Sequence, residues 1–358
     1  MARLPPEQHR AFISLVHRGL TLDALFEAAD QALADLVPFD SSCWLSLDPA
    51  TLLPTSHFTR EIGTDHLMDL AANEFLEDDV NKFADLARQA PPVGILSQAT
   101  DGDLARSPRY VRVLGPHGYQ DGDELRAMFL DGNTSWGCVA LHRHQGTFSQ
   151  EDARTVAAVG PHLATGIRRA VLAADREVEG SGQPGLILFN SDGALESKSA
   201  AATRWLAAML DGTGTRDGMP LIIVSLAEKA RQAANGCADE VATARLPTKE
   251  GGWVVAHASM LDGGVDGRVA VMLQPAREPQ IASLIVEAHG LTEREREVTR
   301  LVMQGRSTRE IAECLYVTPY TVQDHIKAIF AKVGVQSRRE LVAQLFLRYY
   351  APRLHADT

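Results

Sequence analysis

A multidomain chain, with two α+β domains followed by an all-α domain of four short helices, is the fold class predicted for these 358 residues, and three observations predict it. The length exceeds the roughly 100 to 200 residues of a single domain. Apolar periodicity lapses at Asp175–Pro184 and again at Pro275–Gln280, where Gly, Pro and charge collect. Between these joints short β-like runs alternate with helical stripes, whereas beyond the second joint only helical stripes follow, each with its own start signal. The domains so delimited are residues 1–174, 184–275 and 284–350.

In the first domain Leu4 to Val37 has a helical period. Short β-like runs follow at Ser42–Ser46, Val93–Ser97, Leu125–Leu130 and Trp136–His142, and the turn Asp131-Gly132-Asn133 separates the last two. Ser149–Ala174 returns to a helical period, with Ser149 and Asp152 at its start spaced as in a capping box. In the second domain a strand at Leu186–Asn190 is closed by Ser191-Asp192-Gly193. Helices are predicted at Lys198–Leu210 and Leu221–Ala233, and strands at Trp253–Leu261 and Arg268–Leu273 flank the glycine-rich DGGVDG, which suits a hairpin.

The third domain carries the function. Thr292 with Glu295, Ser307 with Glu310 and Ser337 with Glu340 have the Ser/Thr-x-x-Glu spacing in which hydroxyl and carboxylate satisfy each other's orphan amides. A fourth start, Thr318-Pro319, places proline where its fixed φ and missing N–H suit the first helical position, and Gly305 and Gly334 sit where two helices should stop. The three-residue link Tyr316-Val317-Thr318 has the length of a helix-turn-helix turn. On the helix that follows, Val322, Ile326, Ile329 and Val333 form a core stripe, while Tyr320, Asp324, Lys327 and Ala331 point the other way with Gln323 on the flank. Amide, carboxylate and ammonium groups on such a face match the hydrogen-bonding edges of adenine, cytosine and guanine. Phosphate positioning falls to Thr308, Arg309, Thr318, Thr321, Lys332, Arg338 and Arg339.

Charge agrees with this division. The whole chain is acidic at −11, yet Gly290–Arg348 carries +3 against −14 in residues 1–289. An acidic bulk precedes a mildly basic end.

The segment GLTEREREVTRLVMQGRSTREIAECLYVTPYTVQDHIKAIFAKVGVQSRRELVAQLFLR resembles the C-terminal DNA-binding domain of LuxR-type regulators, following its pattern nearly position by position. The resemblance implies a helix-turn-helix reading double-stranded DNA as a homodimer at a pseudo-palindromic operator, with base reading at Gln323, Asp324 and Lys327. It assigns His325 and Glu297 structural roles. Asp324 is a departure, since an acidic group faces the groove there. The family's acyl-homoserine-lactone pattern and a βα-repeat receiver domain are both missing from the front half.

That front half resembles, in its first domain, a GAF domain, through DVNKFADLAR, ATDGDLARSPRYVRVLGPHG, DELRAMFLDGNTSWGCVALHR and FSQEDARTVAAVGPHLATGIRRA. In its second it resembles a PAS domain, through LILFNSDGALESKSAAATRWL and GGWVVAHASML. Both folds imply a sensor that can hold a small molecule. Candidate lining groups are Trp44, His57, Phe75, Tyr110, Phe129 and Trp136, for which core packing is the competing reading. Cys138, His142 and His144 alternate at strand spacing, so metal or haem ligation competes with ordinary burial. Arg106, Arg109 and Arg112 either clamp an anion or pair with Asp101, Asp103 or Glu124. No cofactor is named by any motif. Filled cores that serve only dimerisation or partner docking are the alternative to small-molecule sensing.

Other classes are disfavoured. The opening MARLPPEQHR lacks a signal-peptide profile and no apolar run reaches the ~18 residues of a membrane span, so a cytoplasmic location without membrane contact is expected. Cys43, Cys138, Cys237 and Cys314 form no CxxC pair, arguing against a zinc ribbon or disulfide framework. GxSxG, GxxxxGK[ST], HExxH and a strand-linked GxGxxG are lacking, and no enzymatic activity is expected.

Overall fold

The structure, a computed structural model, describes residues 6–61, 69–70, 73–74, 77–174, 182–209, 219–234, 242–249, 252–261, 267–276, 284, 287–303 and 305–342. Most of both predicted joints, Phe75, and residues 262–266 of the glycine-rich loop lie outside them. Met1–Pro275 form one compact unit and Ala276–Thr358 a second.

The first unit contains two five-stranded antiparallel sheets. The first sheet is built from β1 (Ser41–Leu47), β2 (Pro54–Arg60), β3 (Val93–Ile95), β4 (Asp123–Asp131) and β5 (Thr134–Arg143), ordered β2-β1-β5-β4-β3. Around it lie α1 (Pro6–Val16), α2 (Leu22–Ala34), the short α3 (Phe83–Leu86) and α4 (Leu96–Ala99), and the 25-residue α5 (Gln150–Ala174). The predicted Leu4–Val37 helix is two helices, broken near Gly19, whose φ of +71° favours glycine. The expected capping box of α5 is formed: Asp152 N–H donates to Ser149 Oγ, and Ser149 N–H donates to the Asp152 carboxylate.

One face of this sheet packs on α2 and α5. Trp44 packs between Phe26 and Phe129, with tilted rings whose centroids are 6.1 and 5.7 Å away, and its indole N–H donates to buried Asp30 at 2.8 Å. Gly137 is required here, since a Cβ would come within 2.6 Å of both Ile167 Cδ1 and the Leu45 carbonyl. The opposite face carries Cys43, Leu45, Leu47, Met128 and Ala140.

The second sheet contains β6 (Gly185–Phe189), β7 (Leu195–Lys198), β8 (Ala242–Pro247), β9 (Trp253–Met260) and β10 (Val269–Pro275), ordered β7-β6-β10-β9-β8. Counted from its own first strand, this order is the same as that of the first sheet. Among the described residues, α6 (Ala200–Ala208) and α7 (Leu221–Ala234) lie between β7 and β8. Lys198, predicted to start a helix, ends β7, and Ser199 caps α6 by accepting from Ala202 N–H.

Between the sheets lies α7, on which every residue from Leu221 to Ala230 is buried. It packs on β9 and β10 of its own sheet and on β2 of the first, so one continuous apolar core joins Leu45, Leu47 and Met128 to Ile222, Val224 and Leu226. Two polar ties fasten this junction. The Arg245 guanidinium makes a bidentate pair with Asp48 at 2.5 and 2.6 Å, both side chains buried, and Lys229 Nζ donates to the Thr51 carbonyl at 2.9 Å.

The second unit contains α8 (Glu293–Met303), α9 (Thr308–Leu315), α10 (Pro319–Val333) and α11 (Arg338–Val342). Among the described residues no helix is long and apolar enough to cross a membrane.

Removing one partner of the Asp48–Arg245 pair strands the other as a buried charge. Asp48→Ala should therefore cost about 3 to 5 kcal/mol, read as a lower urea midpoint in equilibrium unfolding of the full chain.

Candidate functional site

The second unit is assembled from satisfied backbone ends. Glu295 N–H donates to Thr292 Oγ1 while Thr292 N–H donates to the Glu295 carboxylate at 2.7 Å, and Ser307 and Glu310 make the same reciprocal pair at the start of α9. At α11 the box is only half as expected: Ser337 Oγ accepts from Glu340 N–H, but the Glu340 carboxylate takes the N–H of Gln336. Thr318 caps α10 by accepting from Thr321 N–H at 3.2 Å, with Pro319 at the first helical position. Gly305 and Gly334 stand past α8 and α10 with φ of +78° and +79°. The link from α9 to α10 is Tyr316-Val317-Thr318, three residues long.

On α10, Val322, Ile329 and Val333 are buried and Ile326 is half-buried, while Tyr320, Gln323, Asp324, Lys327 and Ala331 are exposed. The apolar stripe therefore turns the predicted reading face outward. Lys327 Nζ stands 3.9 Å from Asp324 one turn away, so the acidic departure has its counter-ion on the same face. Of the phosphate candidates, Thr318, Arg309 and Arg339 are exposed, Thr308 and Thr321 are half-buried, and Arg309 pairs with Glu313 at 3.2 Å. Arg338 donates to the Arg306 carbonyl, and Lys332 is committed to Glu295 at 2.6 Å. Lys332 thus ties the end of α10 to the start of α8.

Burial pushes the Glu295 carboxyl up, but hydrogen bonds from the Lys332 ammonium and from Thr292 outweigh it and hold the group below its usual value. Tyr316, which the sequence reading passed over except as a turn residue, has left-handed backbone (φ +55°) and is 96% exposed. Its only sequence signal is a bulky residue where glycine is usual.

The front-half candidates separate. Trp44 and Phe129 meet in the core on the α2/α5 side, Trp136 is buried, His57 is buried opposite Leu45, and the Tyr110 hydroxyl donates to the Gln120 carbonyl at 2.9 Å. None of them lines the cavity of about 100 Å³ on the other face, between the first sheet and α7. Cys138 is buried with its thiol pushed up by burial, His142 lies 3.4 Å from Glu124, and His144 stacks on Tyr119. No group of three or more His, Cys, Asp or Glu that could hold a metal ion occurs among the described residues. The three arginines are in ion pairs: Arg106 with Asp101, Arg112 with Glu77, and fully buried Arg109 with Glu124 at 2.6 Å.

Four capped helices, a three-residue turn and an outward polar face on the helix after it define a helix-turn-helix unit of the DNA-binding class. The chain belongs to the luxR family of bacterial regulatory proteins, whose model matches residues 289–345. The spore germination protein GerE of Bacillus subtilis is 44% identical over 55 residues, which are 15% of this chain and 74% of that protein. The transcriptional regulatory protein DesR of the same organism is 41% identical over 61 residues, 17% of this chain and 31% of that one. Mycobacterial HTH-type transcriptional regulators are 50% identical over 52 residues, but that stretch is 14% of this chain and spans 6% of their length. Among solved structures, the ligand-binding domain of VqsR from Pseudomonas aeruginosa overlays 46% of this chain and 94% of its own, with a TM-score of 0.30 and 15% identity. A bacteriophytochrome of R. palustris overlays 76% of this chain and 63% of its own, with a TM-score of 0.33 and 12% identity. Both overlays are loose.

Two outcomes are expected from this geometry. The Glu295 carboxylate contributes stability that is complete above the unfolded carboxylate value of about 4.3 and is lost as pH falls through its lower folded value. Glu295→Gln should therefore melt below wild type at pH 7, and the gap should close on acidification below about pH 4. Tyr316→Gly removes the left-handed penalty without loss of packing and should raise unfolding stability by up to about 1 kcal/mol in urea titration.

Proposed function

We propose that this protein is a cytoplasmic, homodimeric, sequence-specific DNA-binding transcriptional regulator, with no enzymatic role, whose front half responds to a small molecule. The observation that carries the DNA-binding part is the face of α10, where Gln323, Asp324 and Lys327 stand exposed above a buried apolar stripe. Inserted in the major groove, Gln323 would pair with adenine, Lys327 donate to guanine, and Asp324 accept from cytosine N4. Thr308, Arg309, Thr318, Tyr320, Thr321 and Arg339 would contact the phosphate backbone, and exposed Tyr316 would extend that contact at the turn. Lys332 and Arg338 act chiefly by holding α10 and α11 in register, given their intramolecular partners.

The front half reads as a GAF-like sensor over residues 1–174 and a PAS-like domain over residues 184–275, ahead of a DNA-binding domain over residues 284–350. What supports the two-module reading is that both sheets are five-stranded, antiparallel and share one strand order. Ligand control would act by changing the packing of the flanking helix α5 and so the spacing of two recognition helices on half-sites about 10 bp apart.

Selection of genomic fragments on the full-length protein tests this reading. Wild type should enrich a two-fold-symmetric motif that the Gln323/Asp324/Lys327 triple-alanine variant does not; absence of a motif with wild type, under all ligand conditions, would overturn it. On the selected site Gln323→Ala and Lys327→Ala should each cost about 1 to 3 kcal/mol and relax one base position. Arg339→Ala should weaken all sequences alike and flatten the salt slope with unchanged melting, whereas Lys332→Ala should also lower the melting temperature.

A further inference from the structure

The cavity on the inner face of the first sheet has an unusual wall. Its floor is β1, β4 and β5, through Cys43, Met128 and Ala140; its far side is α7 of the second sheet, through Leu221 and Ser225. A molecule of the cavity's size would touch the first sheet and α7 at once. Most of the lining is apolar, with Leu45, Leu47, Leu52, Pro54 and Phe83 contributing.

The polar end is a charge cluster that is already internally neutralised. The Glu124 carboxylate is held by Arg109 on one oxygen and lies 3.4 Å from Arg126 and His142 on the other, and Arg126 is held in turn by Glu74 at 3.0 Å. Burial pushes the Glu124 carboxyl up, but Arg109, Arg126 and His142 overcome this and keep it ionised well below its ordinary range. A ligand charge added here would have no unspent counter-ion and would be desolvated without return. A neutral hydrogen-bonding group would fare better. His142 lines the cavity, its Nδ1 is buried with no hydrogen-bond partner among the described residues, and Ser225 lines the same cavity from the α7 side.

We propose that this cavity is a binding site for a small, uncharged, largely apolar molecule with one hydrogen-bonding end, and that α7, as its wall, transmits occupancy from the first sheet to the second. The inference rests on the reading of the front half as a small-molecule sensor. It places the ligand away from the aromatic residues Trp44, Phe129 and Trp136, between the first sheet and α7.

Three probes of equal length and different head group test it on the full-length chain: 1-hexanol, hexanoate and hexylammonium, followed through the ¹³C-methyl resonance of Met128. Hexanol should shift that resonance saturably, with hexanoate and hexylammonium at least tenfold weaker, and should slow amide exchange over Leu221–Ala230. Ser225→Phe and Cys43→Met fill the cavity from opposite walls, and each should weaken hexanol at least tenfold. The smaller Cys43→Met change decides the matter if Ser225→Phe does not melt cooperatively. No saturable shift in wild type, equal binding in a cooperatively melting filled variant, equal binding of the charged probes, or unchanged exchange in α7 would each overturn the proposal. DNA selection on the same preparation separates the two readings: motif enrichment without hexanol binding removes this site and leaves the regulator, and hexanol binding without enrichment does the reverse.

Discussion

A helix with no water-facing side organises the front half. Ten consecutive buried residues from Leu221 to Ala230 include Ser225, Glu228 and Lys229, so α7 is not simply apolar; it is enclosed. Enclosure forces each polar member to find a partner. Lys229 spans to the Thr51 carbonyl, Glu228 pairs with Arg231, and beside them Asp48 and Arg245 neutralise each other across the two sheets. The apolar core gains from merging two sheets into one body, and these few directed contacts fix how they merge.

In the C-terminal unit the same economy operates at helix ends. Short helices of 5 to 15 residues are marginal alone, so each relies on tertiary packing and on having its terminal amides satisfied. Thr292, Ser307, Thr318 and Ser337 do this with hydroxyls, so the caps draw on none of Gln323, Asp324 and Lys327. Glu295 serves twice: it closes the cap of α8 and receives Lys332 from the end of α10. The packing of α10 against α8 is thereby tied to a single buried carboxylate.

How much of this was legible in the sequence follows from where information is stored locally. Caps, turn length and the Val322–Val333 stripe are local patterns, and the structure has four helices where they fall, with Glu340 alone choosing a different amide. The central strands β1, β4, β5, β6, β9 and β10 announced themselves through apolar runs. The unannounced strands β2, β7 and β8 are all sheet edges, and their sequences PTSHFTR, LESK and ATARLP carry the proline, charge and shortness by which edges avoid further pairing. The cavity was invisible for another reason. Its walls come from residues 43, 128 and 221, and its neighbours were obscured by large aromatics such as Trp44, whose size attracts notice but whose indole is spent on Asp30. Arg109, offered as one of three spaced arginines, has its role set by Glu124, a long-range partner that spacing alone cannot select from several acids.

The enclosure of α7 also governs how the molecule can be taken apart. A seam in composition near residue 184 invites a cut there, yet a fragment ending before it would keep Leu45, Leu47 and Asp48 while losing the helix and the arginine that cover them. A fragment beginning after it would carry α7 with one flank bare. Both pieces would present fresh apolar surface, with a tendency to self-associate that the parent lacks. A seam in composition and a separable fold are different properties, and here the first does not mark the second.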